Sequence, residues 1–154
     1  MKSLTLLVFA GLFASIGGLA TAQDDPFADV VQTRHGLMLQ MASDLGKMGA
    51  MAKGEAVFDA AIAAKAAANL TAKASVLSME QFPVGSENGK AADSYAKPEI
   101  WTNLPDFLAK IADLNTAAAA MQPMTADLES LKTGMGGVGQ ACGACHKAYR
   151  AAEN

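Results

Sequence analysis

The chain is 154 residues long, 51% hydrophobic and 6% aromatic, with 12 basic residues against 15 acidic ones and a net charge of −3 at pH 7. That length suits one domain with a core large enough to fold alone, so no second domain is required. The acidic balance argues against nucleic acid as a partner, because holding a phosphate backbone takes concentrated Lys and Arg.

Residues 1–22 read as an address rather than as part of a fold. Lys2 supplies the positive start, Leu4 to Ile16 the apolar stretch, and Ala20-Thr21-Ala22 the small-x-small cleavage pattern of a secretory signal. Gly11, Gly17 and Gly18 interrupt the stretch, which is also shorter than the ~20 residues a membrane-spanning helix needs. The expectation is export to a bacterial periplasm with residues 1–22 removed, no membrane attachment afterwards, and one domain over residues 23–154.

Beyond the signal, apolar positions recur at three and four and β-branched residues are sparse, which is helical periodicity. A first helix is predicted from about Phe27 to Met51, with Val31, Arg34, Met38, Met41, Leu45 and Met48 along one face and Lys53-Gly54 ending it. A second runs from about Ala56 to Leu77. It shows Phe58, Ile62, Ala66 and Leu70 on one side, and that apolar side is thin enough to leave its stability to packing. Phe82-Pro83 breaks the pattern, and Val84 to Lys97, rich in Gly, Ser, Asn and Asp, predicts a long surface connection. Pro98 and Pro105 suit the first turns of helical segments, where a missing N–H costs nothing. The third long helix then carries Leu104, Phe107, Leu108, Ile111, Leu114, Ala118 and Met121, and Pro123 stops it.

A fourth helix begins near Thr125, with Leu128, Leu131, Met135, Val138, Cys142, Cys145 and Tyr149 at helical spacing. Gly134, Gly136, Gly137 and Gly139 each cost it on the order of 1 kcal/mol relative to alanine. Either something flat or another backbone approaches closely there, or the helix start is interrupted. The fold class expected from the whole pattern is all-α: an antiparallel four-helix bundle with its one long connection in the middle.

Two cysteines in an exported chain would ordinarily form a disulfide, but Cys142-Gly143-Ala144-Cys145-His146 has another use. On a helix Cys142, Cys145 and His146 stand at i, i+3 and i+4 and project from one face. A disulfide across a single turn would staple almost nothing. A thioredoxin-like pair wants a preceding strand, and a zinc site wants a fourth ligand, which the distant His35 does not offer. Attachment of one haem does need this arrangement: two thiols add to the two vinyl groups on one porphyrin edge, and the imidazole rises beneath the iron. The bundle is therefore expected to enclose one covalent haem c.

This motif lies near the C-terminus and is followed by Tyr149-Arg150. Arg34 stands in the first helix, Lys53-Gly54-Glu55 after it, and Pro98-Glu99-Ile100-Trp101 before the third. With these markers the chain resembles the class II cytochromes c, the cytochromes c′ and their low-spin relatives. The resemblance implies that Cys142 and Cys145 form the thioethers, that His146 is the proximal iron ligand, that Arg34 lies near a haem propionate and that Arg150 lies on the proximal side. It also implies a frequent homodimer built on the first two helices.

The family's distal position, four residues after the first-helix arginine, is Met38. In the low-spin branch a methionine there binds iron, and a thioether ligand raises the potential and lets the metal cycle without changing ligands. In five-coordinate cytochromes c′ the distal residue blocks a vacant site that admits nitric oxide or carbon monoxide. The leading expectation is a periplasmic one-electron carrier, not an enzyme, with His146 and Met38 as axial ligands and transient redox partner proteins. The alternative is a gas-binding protein with Met38 as an unbound gate. Met41, Met48 and Met51 are expected as gap-filling core, and His35, about 100° round the helix from Arg34, as a solvated surface residue.

Overall fold

The computed structural model describes residues 25–152. The signal segment expected at residues 1–22 lies outside the described residues. Helix α1 (Ala28–Ala52) carries Asp29 in its first turn, where a carboxylate meets the positive end of the helix dipole, and it ends at Gly54, whose φ of +76° suits glycine. Helix α2 (Ala60–Ser75) starts four residues later than its alanine content suggests. The reason is Asp59, whose side chain accepts from the backbone N–H groups of Ala61 and Ile62. After a connection containing a 3-10 turn at Met79–Gln81 come the single turn α3 (Glu99–Thr102) and helix α4 (Leu104–Met121), with Pro98 and Pro105 at their starts as expected. A 3-10 segment at Gln122–Thr125 leads to α5 (Leu128–Tyr149), which is capped by Asp127 through the Ser130 N–H.

Among the described residues there is no strand, and the four long helices form the expected bundle. Helix α1 packs on α2 and α5, and α4 packs on the same two, so α1 and α4 sit across a diagonal. Met121 at the end of α4 lies against Gly134 early in α5, whereas Asp106 near the start of α4 meets Tyr149 at the end of α5. Neighbouring helices are thus antiparallel, and the start of α1, the long connection and the end of α5 come together at one end. Helix α2 buries Ala63, Ala66, Ala67, Leu70 and Ala74, which lets its neighbours close in, and the Thr71 hydroxyl reaches the Ala118 carbonyl of α4 at 3.0 Å. Ile62 was expected inside but is half exposed, because the alanine stripe rather than the bulkiest residue faces the core.

The α1–α2 seam holds a charge. Asp44 is 1% exposed and bonded to Lys73 of α2 and, at 3.0 Å, to Lys47. Burial pushes the carboxyl up, but the hydrogen bonds and charges of Lys73 and Lys47 outweigh that and hold it below the ordinary carboxylate range. Its contribution to stability is therefore complete above about pH 4 and is lost as pH falls through the depressed value. Asp44→Asn is expected to lower the unfolding free energy by about 3 kcal/mol, the low end for breaking a buried pair because both lysines reach solvent. Urea titrations at several pH values should show the wild-type advantage shrinking in acid.

The glycines of α5 divide by surroundings. A Cβ at Gly134 would lie 3.2 Å from Met121 Cγ and 3.3 Å from Met124 Cβ, whereas Gly136 and Gly137 are exposed with nothing within 4 Å. The helix runs through all four glycines without interruption, and close approach accounts for Gly134 alone. Gly136→Ala and Gly137→Ala should each raise stability by about 0.5–1 kcal/mol in thermal unfolding, a gain that Gly134→Ala forgoes.

Candidate functional site

At the end of the bundle where α1 starts and α5 finishes, a cavity of about 440 Å³ opens between the helices. Helix α5 contributes Cys145, His146, Tyr149 and Arg150, and α1 contributes Arg34, His35, Met38, Leu39 and Ala42. The rest of the wall comes from Phe82, Tyr95 and Ala96 of the connection, with Ile100 and Phe107 behind them. Cys142, one turn before Cys145, is half-buried and packs against the core beside it. Of the residues picked out by the sequence, Arg34, Met38, Cys145, His146 and Arg150 thus line one cavity and Cys142 does not, with Met38 and His146 on two different helices that face it.

The donor set suits a covalently held haem. Burial raises the Cys142 thiol, and burial and then the neighbouring Cys142 push the Cys145 thiol up to about 11. Both are free and protonated, the reverse of the low-pKa cysteine that a dithiol oxidoreductase requires. A thiol adds across a vinyl double bond with its hydrogen passing to the other carbon, so attachment needs no oxidant. His146, exposed at its outer edge, is drawn below its ordinary pKa by partial desolvation against the cavity and then by the nearby Arg150 cation, which favours the neutral imidazole that can ligate a metal. Among the described residues no group of three or more His, Cys, Asp or Glu side chains is arranged to hold a bare metal ion.

Arg34 is 4% exposed, and its terminal nitrogens are directed at the connection. One donates to the Gln81 carbonyl at 3.2 Å and the Ser86 hydroxyl at 2.9 Å; the other donates to the Ser86 carbonyl at 2.8 Å and the Ser94 hydroxyl at 2.5 Å. The guanidinium also lies over the Phe82 ring, 5.4 Å from its centroid. No carboxylate among the described residues pairs with it, so a buried positive charge stands in the cavity wall uncompensated by protein. Burial draws its pKa down, though an arginine remains charged. Arg150 reaches the cavity from the proximal end. Its backbone pairs with Ala96, while Lys97 N–H donates to Tyr149 and Ala151 N–H donates to Tyr95, stitching the end of α5 to the connection.

Several lining residues escaped the sequence reading. His35 is half-buried in the cavity wall rather than solvated, stacked on Tyr95 with ring centroids 5.9 Å apart. Tyr95, Phe82 and Phe107 carry no periodic signal toward α5, and only the long connection folding back brings them there. The Phe82-Pro83 break was the one available hint. Trp101 donates its indole N–H to the Phe82 carbonyl at 3.0 Å and steadies the turn.

Comparison with known proteins gives one answer. A family model described as Cytochrome C' matches residues 29–150. Cytochrome c-554 from Cereibacter sphaeroides is 49% identical over 140 residues, covering 90% of this chain and 92% of the relative. The solved cytochrome c′ from Rhodobacter sphaeroides superposes with a TM-score of 0.79 at 30% identity, covering 82% of this chain and 98% of that one. A nitric oxide complex of a cytochrome c prime mutant from Alcaligenes xylosoxidans gives 0.72 at 31% identity, covering 82% and 97%.

Arg34→Ala would remove four hydrogen bonds to Gln81, Ser86 and Ser94 and loosen the connection. We expect a loss of about 3 kcal/mol in unfolding free energy. Hydrogen exchange should accelerate over residues 81–96 while the amides of α4 and α5 keep their protection.

Proposed function

The chain belongs to the cytochrome c′ family, whose members bind one covalent haem c, and from that premise we propose that it is a periplasmic gas-binding cytochrome with Met38 as a distal gate. In this reading Cys142 and Cys145 form the thioethers, His146 holds the iron from α5, and Met38 covers the opposite face from α1 without a lasting bond. The haem supplies the iron that takes up nitric oxide or carbon monoxide, or passes one electron. The residues do the rest. His146, kept neutral, presents a lone pair, and Arg34 offsets carboxylate charge from inside the wall. Arg150 does the same near the proximal end, while Ala42 and Ile100 contribute apolar wall. Leu39, 71% exposed at the rim, marks the open side by which a ligand or a redox partner approaches.

The observation that carries this is the single cavity that Met38 and His146 line together. The solved cytochromes c′ among the relatives, two of them mutant proteins holding nitric oxide, support gas binding over the electron carrier that the sequence alone favoured. The second reading, permanent His146 and Met38 ligation with one-electron transfer to transient protein partners, draws its support from Met38 being a thioether on that same wall rather than a hydrocarbon. No enzyme activity is proposed. A homodimer through α1 and α2 is the assembly the family suggests.

Ferric spectra of the haem-loaded protein and of Met38→Leu separate the two readings. We expect a high-spin wild type whose ferrous form takes up carbon monoxide about as readily as the variant does. A low-spin wild type, with a weak red charge-transfer band that vanishes in Met38→Leu, would instead establish the electron carrier.

A further inference from the structure

Tyr149 lines the cavity three residues after His146 and is buried, yet its phenol is committed elsewhere. It donates to Asp106 Oδ2 of α4 at 2.6 Å, and the ring packs edge-on against Phe107 at 5.1 Å. Asp106 Oδ1 in turn lies 3.4 Å from Lys110 Nζ, one turn along α4. The wall of the cavity beside the attachment turn is therefore backed by a phenol, a carboxylate and an ammonium in series.

We propose that Asp106, acting through Tyr149 and balanced by Lys110, is a positioning residue that sets the reduction potential of the haem from the proximal side. The inference rests on the haem occupancy proposed above. It does not depend on whether Met38 ligates.

Three observations bear on the charges. The Tyr149 hydrogen bond, more than Lys110, holds the Asp106 carboxyl below its ordinary range, and the position in the first turn of α4 favours the anion further. Tyr149 is pushed up to about 12 by burial and then by Asp106, so the proton stays on the phenol and the pair is a fixed O–H···O⁻ dipole. Lys110, one turn along α4, places the balancing positive charge 3.4 Å from Asp106 Oδ1. A negative charge outside the wall stabilises ferric over ferrous iron and lowers the potential; a positive one does the reverse. Asp106 is partly open to water, so the effect is screened and must weaken with salt.

The test is spectroelectrochemical titration, at low and high ionic strength, of the haem-loaded protein and four variants: Asp106→Asn, Lys110→Gln, Tyr149→Phe and Tyr149→Phe combined with Asp106→Asn. Asp106→Asn should raise the reduction potential and Lys110→Gln should lower it, both shifts shrinking at high salt. In a Tyr149→Phe background, Asp106→Asn should move the potential less than in the wild type. Loosened packing cannot produce shifts of opposite sign from neighbouring residues. Potentials that stay put, or that move in one direction for both charge variants, overturn the proposal while leaving the haem assignment intact. Absence of covalent haem from the unaltered protein, matured in a competent host and assayed by pyridine haemochrome, overturns both.

Discussion

Four hydrogen bonds from the buried Arg34 guanidinium draw the connection between α2 and α4 across the end of the bundle, and the cavity has a wall on that side because of them. Helices with apolar stripes pack until they touch, so a bundle left to its hydrophobic faces would close up. Here the alanine face of α2 allows such closure along the α1, α2 and α4 seams. At the other end a charged group is held in place by two carbonyls and two hydroxyls of the connection. The guanidinium is large, its donors are fixed in a plane, and it cannot shed its charge, so the connection has to accommodate it.

From Arg34 the wall continues as a run of rings. The guanidinium lies over Phe82, Phe82 meets Phe107 edge-on at 5.0 Å, and Phe107 meets Tyr149 at 5.1 Å. Edge-to-face rings resist sliding, since each positive rim sits on a negative face. The run joins the side of the cavity that carries Met38 to the turn that carries His146. The backbone pairing of Ala96 with Arg150 makes the same link at the rim. Met38 and His146 therefore belong to one frame, although their helices stand on different sides of the cavity.

The electrostatics of that frame suit a group brought in rather than chemistry done by the protein alone. The thiols are protonated, the imidazole is neutral, and the one buried charge in the wall is a cation without a carboxylate partner among the described residues. An acid with an iron centre and two vinyl groups answers each of these in turn. On the proposed reading the thiols of Cys142 and Cys145 would hold the vinyl edge, the imidazole of His146 would ligate the iron, and the carboxylates would offset the Arg34 cation. Asp106 and Lys110 lie one layer further out, where charges are too screened to bind such a group yet close enough to bias its electron affinity.

What the sequence determined by itself was everything that depends on neighbours in the chain. Cys142, Cys145 and His146 share a face because a helix puts i, i+3 and i+4 together. The four long helices could be read because apolar residues recur at the helical period, and Pro105 and Gly54 mark ends for stereochemical reasons local to each. Tertiary structure decided which of several apolar or polar residues face the cavity. Ile62 points outward although it is apolar, because alanines pack closer. His35 turns inward although it is polar, because Tyr95 offers a ring to stack on. Arg34 is tied to Ser86 and Ser94, more than fifty residues downstream. Periodicity reports the character of a helix face. The partner of that face is set by a chain reversal that no local pattern encodes.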